Sequence, residues 1–214
     1  MAPEMIEVYS DKGKLLGVKE NKQCHDAMRE EFLRTGKVSI HHKHSRVLLL
    51  ASSGKLILQK RSKWKGDNPG LWDKTVGGHA FRHESYDFTA VRECAEEMRI
   101  PSTVVAREHL KEALGLIDTH AMAVMFLVEV DGNDVSLRSE RGGKTWKEPS
   151  STAYYLGYYD GPIRFNLSEA SGFRISSLKE IEEEMLKEPE AFANDLFKML
   201  SRMRNALKPV DEIR

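Results

Sequence analysis

Three carboxylates, Glu93, Glu96 and Glu97, recur at a spacing that can build a metal site. If residues 86–98 form a helix, each residue advances by about 100° and these three side chains share one face. Carboxylates that crowd one helical face repel each other and destabilise the helix at neutral pH. A hard divalent cation removes that cost, because Mg²⁺ binds through a few carboxylates together with the phosphate oxygens of a substrate. The spacing therefore predicts a metal-dependent site for a diphosphate.

The helix that carries these carboxylates has its own sequence signals. Ser85 is suited to the N-cap, and Asp87 places a favourable negative charge in the first turn. Away from the carboxylates, we predict a buried apolar stripe with Cys94 at its edge, made of Phe88, Val91, Ala95 and Met98. A second Glu-rich run, at residues 177–190, begins with an S-x-x-E capping box and is predicted to be an ordinary surface helix.

The segment from Gly78 to Ile100 resembles the Nudix box, written G-x5-E-x7-R-E-U-x-E-E-x-G-U with U apolar. The residues that match it are Gly78, Glu84, Arg92, Glu93, Glu96, Glu97 and Ile100. Cys94 takes the first apolar position, and Arg99 stands where the family has the Gly that ends the helix in a left-handed conformation. A side chain in that conformation costs roughly 1–2 kcal/mol. The departure puts the local turn in question but removes no predicted metal ligand.

The Nudix resemblance implies metal chemistry at this helix. Glu96 and Glu97, with the carbonyl oxygen of Gly77, are expected to bind Mg²⁺, with Mn²⁺ as an alternative ion. Glu93 is expected either to bind a second ion or to take the proton from the attacking water. Glu169 resembles the late Glu that many Nudix hydrolases use as a metal ligand or base, and an ordinary turn carboxylate is the alternative reading.

Within the same motif, Arg92 is expected to pair with Glu84 and to orient it. We therefore predict as catalytic residues the five charged positions of the box, Glu84, Arg92, Glu93, Glu96 and Glu97.

A longer stretch, KLILQKRSKWKGDNPGLWDKTVGGH, resembles the isopentenyl-diphosphate isomerase branch of the Nudix superfamily. That branch binds the diphosphate of its substrate with basic residues that match Arg61 and Lys65, which would otherwise be solvated charges. Its catalytic Cys matches Gly77, and Cys94 lies on the buried edge of the helix and cannot replace that thiol. The resemblance implies an isomerase-like frame that performs phosphate chemistry.

The function predicted from these residues is Mg²⁺-dependent hydrolysis of a diphosphate linked to another moiety, as in a nucleoside diphosphate derivative. Two alternatives stay open: an isopentenyl-diphosphate isomerase and a non-catalytic sensor that binds diphosphates. The sequence does not identify the moiety attached to the diphosphate.

The isomerase branch also holds a metal, with histidines that match His25, His42 and His79 and with acidic residues, one of them matching Glu97. A helical stretch separates His25 from His42, and the other supporting acids are not evident in this sequence. A second metal site, substrate contact and simple packing therefore remain alternatives. We predict that His42 and His79 contact the substrate.

The surrounding elements must position these residues. We predict hairpins around residues 11–13 and 53–54, a loop at 62–71, a strand at 121–130, a mobile excursion at 138–149, and helices at 21–34, 178–187 and 190–206. Tyrosines 154, 155, 158 and 159, together with Trp146, either stack on a planar group or pack against an edge strand.

This order of elements predicts an α/β (α+β) fold of the Nudix type, a mixed β-sheet sandwiched between helices. Residues 1–214 are expected to form a single Nudix domain. It comprises an N-terminal hairpin and helix extension at 1–40, a Nudix core at 41–176 and C-terminal helices at 177–214.

Composition limits the partners. The chain of 214 residues has 33 basic and 33 acidic residues, so no net charge attracts nucleic acid polymers or membrane surfaces. Its two cysteines do not make a disulfide framework, and the N-terminus has no apolar signal segment, so a cytoplasmic location is expected. The expected partner is a small-molecule diphosphate; the oligomeric state stays open, with a homodimer as one option.

Overall fold

The computed structural model describes residues 3–140 and 143–213. Within them the strands are β1 Met5–Ser10, β2 Leu15–Glu20, β3 Ile40–Leu50, β4 Leu56–Arg61, β5 Trp72–Asp73, β6 Val76–His79, β7 Ser102–Val105, β8 Ala123–Ser139, β9 Thr145–Tyr158 and β10 Ala170–Ser176. The α-helices are α1 Asn21–Thr35, α2 Tyr86–Met98, α3 Leu110–Leu116, α4 Leu178–Lys187 and α5 Asn194–Met203. None of the helices in these ranges has the length and apolar character that a bilayer crossing requires.

Strand β3 joins the parts of the mixed sheet. The path through the sheet runs β10-β4-β3-β9-β8-β7, in which β3 and β9 are parallel, as are β7 and β8. The first half of β3 pairs with β1 and with β6, so His42 lies opposite Val8 and His44 lies opposite His79. The same half pairs with the start of β9, where Ser150 lies opposite His42. Three segments far apart in sequence therefore meet at this end of β3.

Helices cover both faces of the sheet. Alternate residues of β3 point to opposite faces, so the strand contributes side chains to the core on each side. Leu48 and Leu50 belong to a core that includes side chains of α3, α4 and α5. Val47 and Leu49 belong to a second core, which α2 closes. A third cluster joins α1 to the first hairpin through Trp146. The predicted Nudix-type sandwich is confirmed.

The local predictions for both hairpins, the α1 helix, the 121–130 strand and the Ser85 N-cap are confirmed. The second Glu-rich run begins at the expected reciprocal capping box. The last helix begins at Asn194 and not at 190, because Pro189 starts a separate short 3₁₀ turn over Pro189–Ala191.

The buried face of α2 differs from the predicted stripe. Phe88 is 58 % exposed and Ala95 is exposed, whereas Ala90, Cys94 and Met98 are fully buried. The helix is therefore rotated by a fraction of a turn from the predicted orientation. The rotation places Cys94 at the centre of the packed face and brings Glu93 against the sheet.

The predicted mobile excursion at 138–149 is wrong in its described part. Residues up to Ser139 continue β8, and residues from Thr145 begin β9, so the segment is a long antiparallel hairpin. Its polar residues are tolerated in strands because Arg138 and Glu148 form a buried ion pair. The tyrosines that follow are buried and so is Trp146, which leaves packing as their role.

Candidate functional site

The loop before α2 and the first turns of that helix bring the box residues together. Ser85 caps the helix by accepting a hydrogen bond from the Phe88 backbone N–H at 3.1 Å. A β-carbon at Gly78 would lie 1.9 Å from a carboxylate oxygen of Glu93. Glycine at this position therefore lets the Glu93 side chain pack directly on the β6 backbone.

Arg92 connects the carboxylates to the loop. Its Nε donates to Glu84 at 3.1 Å, and its Nη1 donates to Glu93 at 2.8 Å and to Glu96 at 2.9 Å. Its Nη2 donates to the His79 carbonyl oxygen at 2.8 Å. One guanidinium thus orients three box carboxylates and ties α2 to the end of β6.

The electrostatics of the acidic face fit a cation. Burial, followed by repulsion from Glu97, raises the pKa of Glu93 to about 8. Burial is also the main cause that raises the pKa of Glu97 to about 7; Lys65 opposes it and Glu169 adds to it. Gln59 donates to Glu97 at 3.1 Å. Because nearby carboxylates hold protons at neutral pH, a divalent cation that replaces those protons is a suitable occupant.

The structure places Glu169 and Lys65 beside this acidic face, where they form an ion pair with each other. The Ser62 backbone N–H donates to the Glu169 carbonyl oxygen at 2.9 Å, which fixes the strand end that carries Glu169. Both predicted residues are therefore close to Glu97. A phosphate would have to compete with Glu169 for the Lys65 ammonium.

Arg61, the other predicted diphosphate clamp, is occupied within the protein. Its Nη2 donates to the Asp67 carbonyl oxygen at 3.0 Å and to the Asp67 carboxylate at 3.1 Å. Its Nη1 lies 3.5 Å from Asp73, and the side chain is only 12 % exposed. These contacts hold the 62–71 loop in place and leave little of the guanidinium for a ligand.

Gly77 lies in β6 above the buried Lys74, which no motif in the sequence indicates. A β-carbon at Gly77 would lie 2.7 Å from Cε of Lys74 and 3.1 Å from the Ser45 carbonyl oxygen. The Lys74 ammonium lies 3.0 Å from an Asp73 carboxylate oxygen. The position that matches the isomerase thiol is thus shaped by the lysine side chain.

The three matched histidines converge on one carboxylate, that of Glu148 in β9. Their ligand atoms and that of Glu148 all lie within 4.8 Å of one another. Nε2 of His25 lies 2.9 Å, that of His42 3.0 Å and that of His79 3.6 Å from Glu148 Oε1. His42 is fully buried in this cluster, so the predicted contact between His42 and the substrate has no exposed surface to act through.

The protonation states in this His–Glu cluster fit a metal ion. Burial lowers the pKa of His42, and burial followed by repulsion from His42 lowers that of His79 to about 3, so both rings are neutral. Burial opposes ionisation of Glu148, but Arg138 and His25 lower the pKa of Glu148 well below its usual range. Neutral imidazoles and an ionised carboxylate are ligands of Zn²⁺ and similar ions, with bonds of about 2.0–2.2 Å. The residues fit the metal that the isomerase resemblance implies.

Glu148, an acid of that metal site that the sequence does not reveal, lies in the segment predicted to be a mobile excursion. Every second residue from Trp146 to Thr152 is buried, but most of these residues are polar, so the sequence carries no apolar alternation that would have marked Glu148. Arg138 orients Glu148 from the neighbouring strand and also donates to Asp67 at 2.8 Å. A cavity of about 460 Å³ between Asp67, Trp146 and α1 leads to His25.

Comparisons with known proteins identify the family of this chain. The family model described as NUDIX domain matches residues 40–151. The chain is 28 % identical over 120 residues to an isopentenyl-diphosphate Delta-isomerase of Streptomyces griseus subsp. griseus, covering 53 % of this chain and 56 % of that protein. It is 41 % identical over 63 residues to an uncharacterized Nudix hydrolase of Pseudomonas aeruginosa, covering 29 % of this chain and 37 % of that protein.

The chain thus spans about half, or less, of the length of these curated relatives. Among solved structures, DR0079 from Deinococcus radiodurans superposes with a TM-score of 0.63 at 18 % identity, over 93 % of this chain and 98 % of that one. At that identity the likeness concerns the fold alone.

Proposed function

The chain belongs to the NUDIX domain family, and from this premise we propose that it is a divalent-metal-dependent hydrolase of a diphosphate linked to another moiety. The proposed ion is Mg²⁺, with Mn²⁺ as an alternative, and the proposed substrate class is the nucleoside diphosphate derivatives. The observation that carries the proposal is the acidic face of α2, where Arg92 holds Glu93 and Glu96 and where Glu97 is close enough to raise the pKa of Glu93. An acidic helix that only faced solvent would not bury Glu93 and half-bury Glu97.

Each box residue then has a role. When bound by Glu96, Glu97 and the Gly77 carbonyl oxygen, the ion would polarise a phosphate and offset the charge that develops on its oxygens. Arg92 keeps Glu96 in place through a 2.9 Å hydrogen bond. A bound cation would displace the proton that Glu93 holds at neutral pH, and the Glu93 carboxylate could then accept the proton of the attacking water or bind a second ion.

Glu169 and Lys65 would act as an exchangeable pair beside the acidic face. On binding, the Glu169 carboxylate would turn to the ion and the Lys65 ammonium to a phosphate oxygen. Each charge keeps an opposite partner throughout, so the exchange costs little desolvation.

The test is incubation of the purified protein with Mg²⁺ or Mn²⁺ and a panel of dinucleotides, nucleotide sugars, nucleoside diphosphates and isopentenyl diphosphate. Release of phosphate or of a nucleoside monophosphate supports hydrolysis. An isomerised product supports an isomerase, and binding without turnover supports a sensor.

The isomerase alternative has one observation in its favour: the His–Glu cluster fits the metal that the isomerase resemblance implies. Against it stands the Gly77 position, where the expected thiol is absent and Lys74 fills the adjacent space. Because moving a proton across an allylic carbon needs an acid at that point, we favour hydrolysis. In the hydrolase, an ion held by His25, His42, His79 and Glu148 would fasten α1 to the sheet.

A further inference from the structure

A groove of about 820 Å³ lies beside the C-terminal end of α2, outside both the acidic face and the His–Glu cluster. One wall is the turn at Arg99, and the other is the segment 162–167. Phe165 packs from this segment onto the α2 core, and the backbone N–H of Arg164 donates to the Met98 carbonyl oxygen at 3.1 Å. The end of α2 therefore fixes both walls relative to the acidic residues.

Both walls of the groove are close in sequence to residues of the acidic face. Arg99 follows Glu97 by two residues at the end of α2. At the other wall, the Leu167 carbonyl oxygen accepts a 2.8 Å hydrogen bond from Ser62, whose backbone N–H binds the Glu169 carbonyl oxygen. Both walls of the groove therefore come from chain segments within two residues of Glu97 and Glu169, so a molecule whose diphosphate lies at those carboxylates would need to extend only a short way to reach it.

The chemistry of the groove is cationic with apolar surfaces. Arg99 and Arg164 are both exposed, and neither guanidinium forms an ion pair with a carboxylate in the ranges 3–140 and 143–213. Leu167 is 72 % exposed at the end nearest the acidic face.

Arg99 also adopts a costly backbone conformation. Its φ is 54°, in the left-handed region, at the position where the Nudix box has Gly. A side chain there is disfavoured, and such strain often accompanies function. The strained residue is one of the two cations that line the groove.

We propose that this groove binds a nucleoside moiety that carries a phosphate of its own, in addition to the diphosphate held at the acidic face. Two guanidiniums without protein partners suit such a dianion, because arginine binds phosphate oxygens through paired N–H donors. The apolar surfaces of Phe165 and Leu167 in the groove wall suit the base or sugar between the phosphates. A small uncharged hydrocarbon moiety would leave both guanidiniums unused.

The proposal deepens the proposed function, on which it rests, so binding and turnover are measured separately. Binding is measured calorimetrically with adenosine 3′,5′-bisphosphate and AMP, which contain no diphosphate bond. The bisphosphate is expected to bind at least tenfold more tightly than AMP. Turnover is measured with two matched substrate pairs, NADPH with NADH and coenzyme A with dephospho-coenzyme A. The member with the extra phosphate is expected to have at least a tenfold higher kcat/KM.

Variants at Arg99 and Arg164 distinguish the effect of a lost positive charge on binding from an effect on folding stability. Arg99→Gly removes the charge and relieves the strained conformation, so it is expected to raise Tm while it weakens bisphosphate binding at least fivefold. Arg164→Gln is expected to weaken bisphosphate binding by a similar factor. Arg99→Lys, which keeps the positive charge, is expected to retain most of the bisphosphate affinity. Arg34→Gln, at an exposed position at the end of α1, is the control and is expected to change nothing.

The outcomes distinguish the two proposals. Equal binding of bisphosphate and AMP by the wild-type protein, or unchanged binding by Arg99→Gly and Arg164→Gln, overturns the groove proposal even if hydrolysis is observed. Phosphate-selective binding that these variants abolish supports the groove even if no substrate is hydrolysed, and in that case only the proposed function fails.

Discussion

The side chain of Lys74 runs beneath Gly77 so closely that a β-carbon on the glycine would lie 2.7 Å from the lysine Cε. The lysine is buried and its ammonium lies 3.0 Å from Asp73. The glycine, which the resemblance aligns with the isomerase thiol, and the lysine below it therefore pack as a complementary pair. Restoring the thiol alone would not restore the shape of an isomerase site.

Gly77→Cys is expected to be destabilised by about 1–3 kcal/mol, because the new side chain overpacks against Lys74 and the Ser45 carbonyl. It is also expected to form no isomerised product from isopentenyl diphosphate. Thermal unfolding and product analysis check both points. Gly115→Ala, where a β-carbon meets no atom within 4 Å, is the control for stability. Isomerised product above the uncatalysed background, from wild type or variant, would overturn the hydrolase proposal.

Glu97→Gln is expected to lower turnover by about 10²-fold or more, because a neutral amide removes a metal ligand and the loss of such electrostatic stabilisation has that magnitude. Folding should be retained, since the amide can still accept from Gln59. The measurement is kcat at saturating Mg²⁺ with the best substrate from the panel. Glu183→Gln, in the surface helix α4, serves as the matched control. If Glu97→Gln retained more than about a tenth of wild-type activity, the metal assignment would be wrong.

Purified protein is expected to retain about one transition-metal ion per chain, because three imidazoles and a carboxylate already face each other. Chelation should lower Tm, since an ion present at 100-fold over its Kd stabilises the folded state by about 2.7 kcal/mol. Elemental analysis and thermal unfolding test this. Glu148→Gln should lose the ion and the chelator sensitivity, whereas His109→Ala, at an exposed imidazole, should keep both. A metal-free wild type whose Tm does not respond to added Zn²⁺ or Mn²⁺ would refute the site.

Asp195→Asn is expected to destabilise the protein by about 3 kcal/mol, because it leaves the buried Arg46 with one fewer counter-ion. Burial opposes ionisation of Asp195, but Arg46 and then Lys74 outweigh it and lower its pKa to about 2. An unfolded Asp has a pKa of about 3.9, so this stabilisation is present above about pH 4 and is lost as the pH falls towards 2.

The unfolding free energy of the variant should therefore vary less than that of wild type between pH 4 and pH 2. Denaturant titrations at several pH values measure it, with Asp211→Asn at an exposed site as the control. Parallel pH curves for Asp195→Asn and wild type would contradict the assignment.

Much of the local structure and of the acidic site was predictable, because both depend on short-range spacing. The Ser85 cap, the α2 boundaries and the contact between Arg92 and Glu84 all arise within one loop and helix. The rotation of α2 was not predictable, since it depends on which of two adjacent apolar positions the sheet accepts. Phe88 was therefore predicted to be buried and is exposed.

The sequence by itself determined the family, the acidic helix and the absence of the isomerase thiol, because these features lie in one contiguous stretch of chain. Only the tertiary structure decided that Glu148 joins His25, His42 and His79, because these residues come from different elements that meet at the start of β3. It also decided that Arg61 is engaged within the protein while Arg99 and Arg164 face a groove. Basic residues look alike in a sequence. Only their neighbours in the folded structure determine which of them pair with carboxylates and which stay available to bind a ligand.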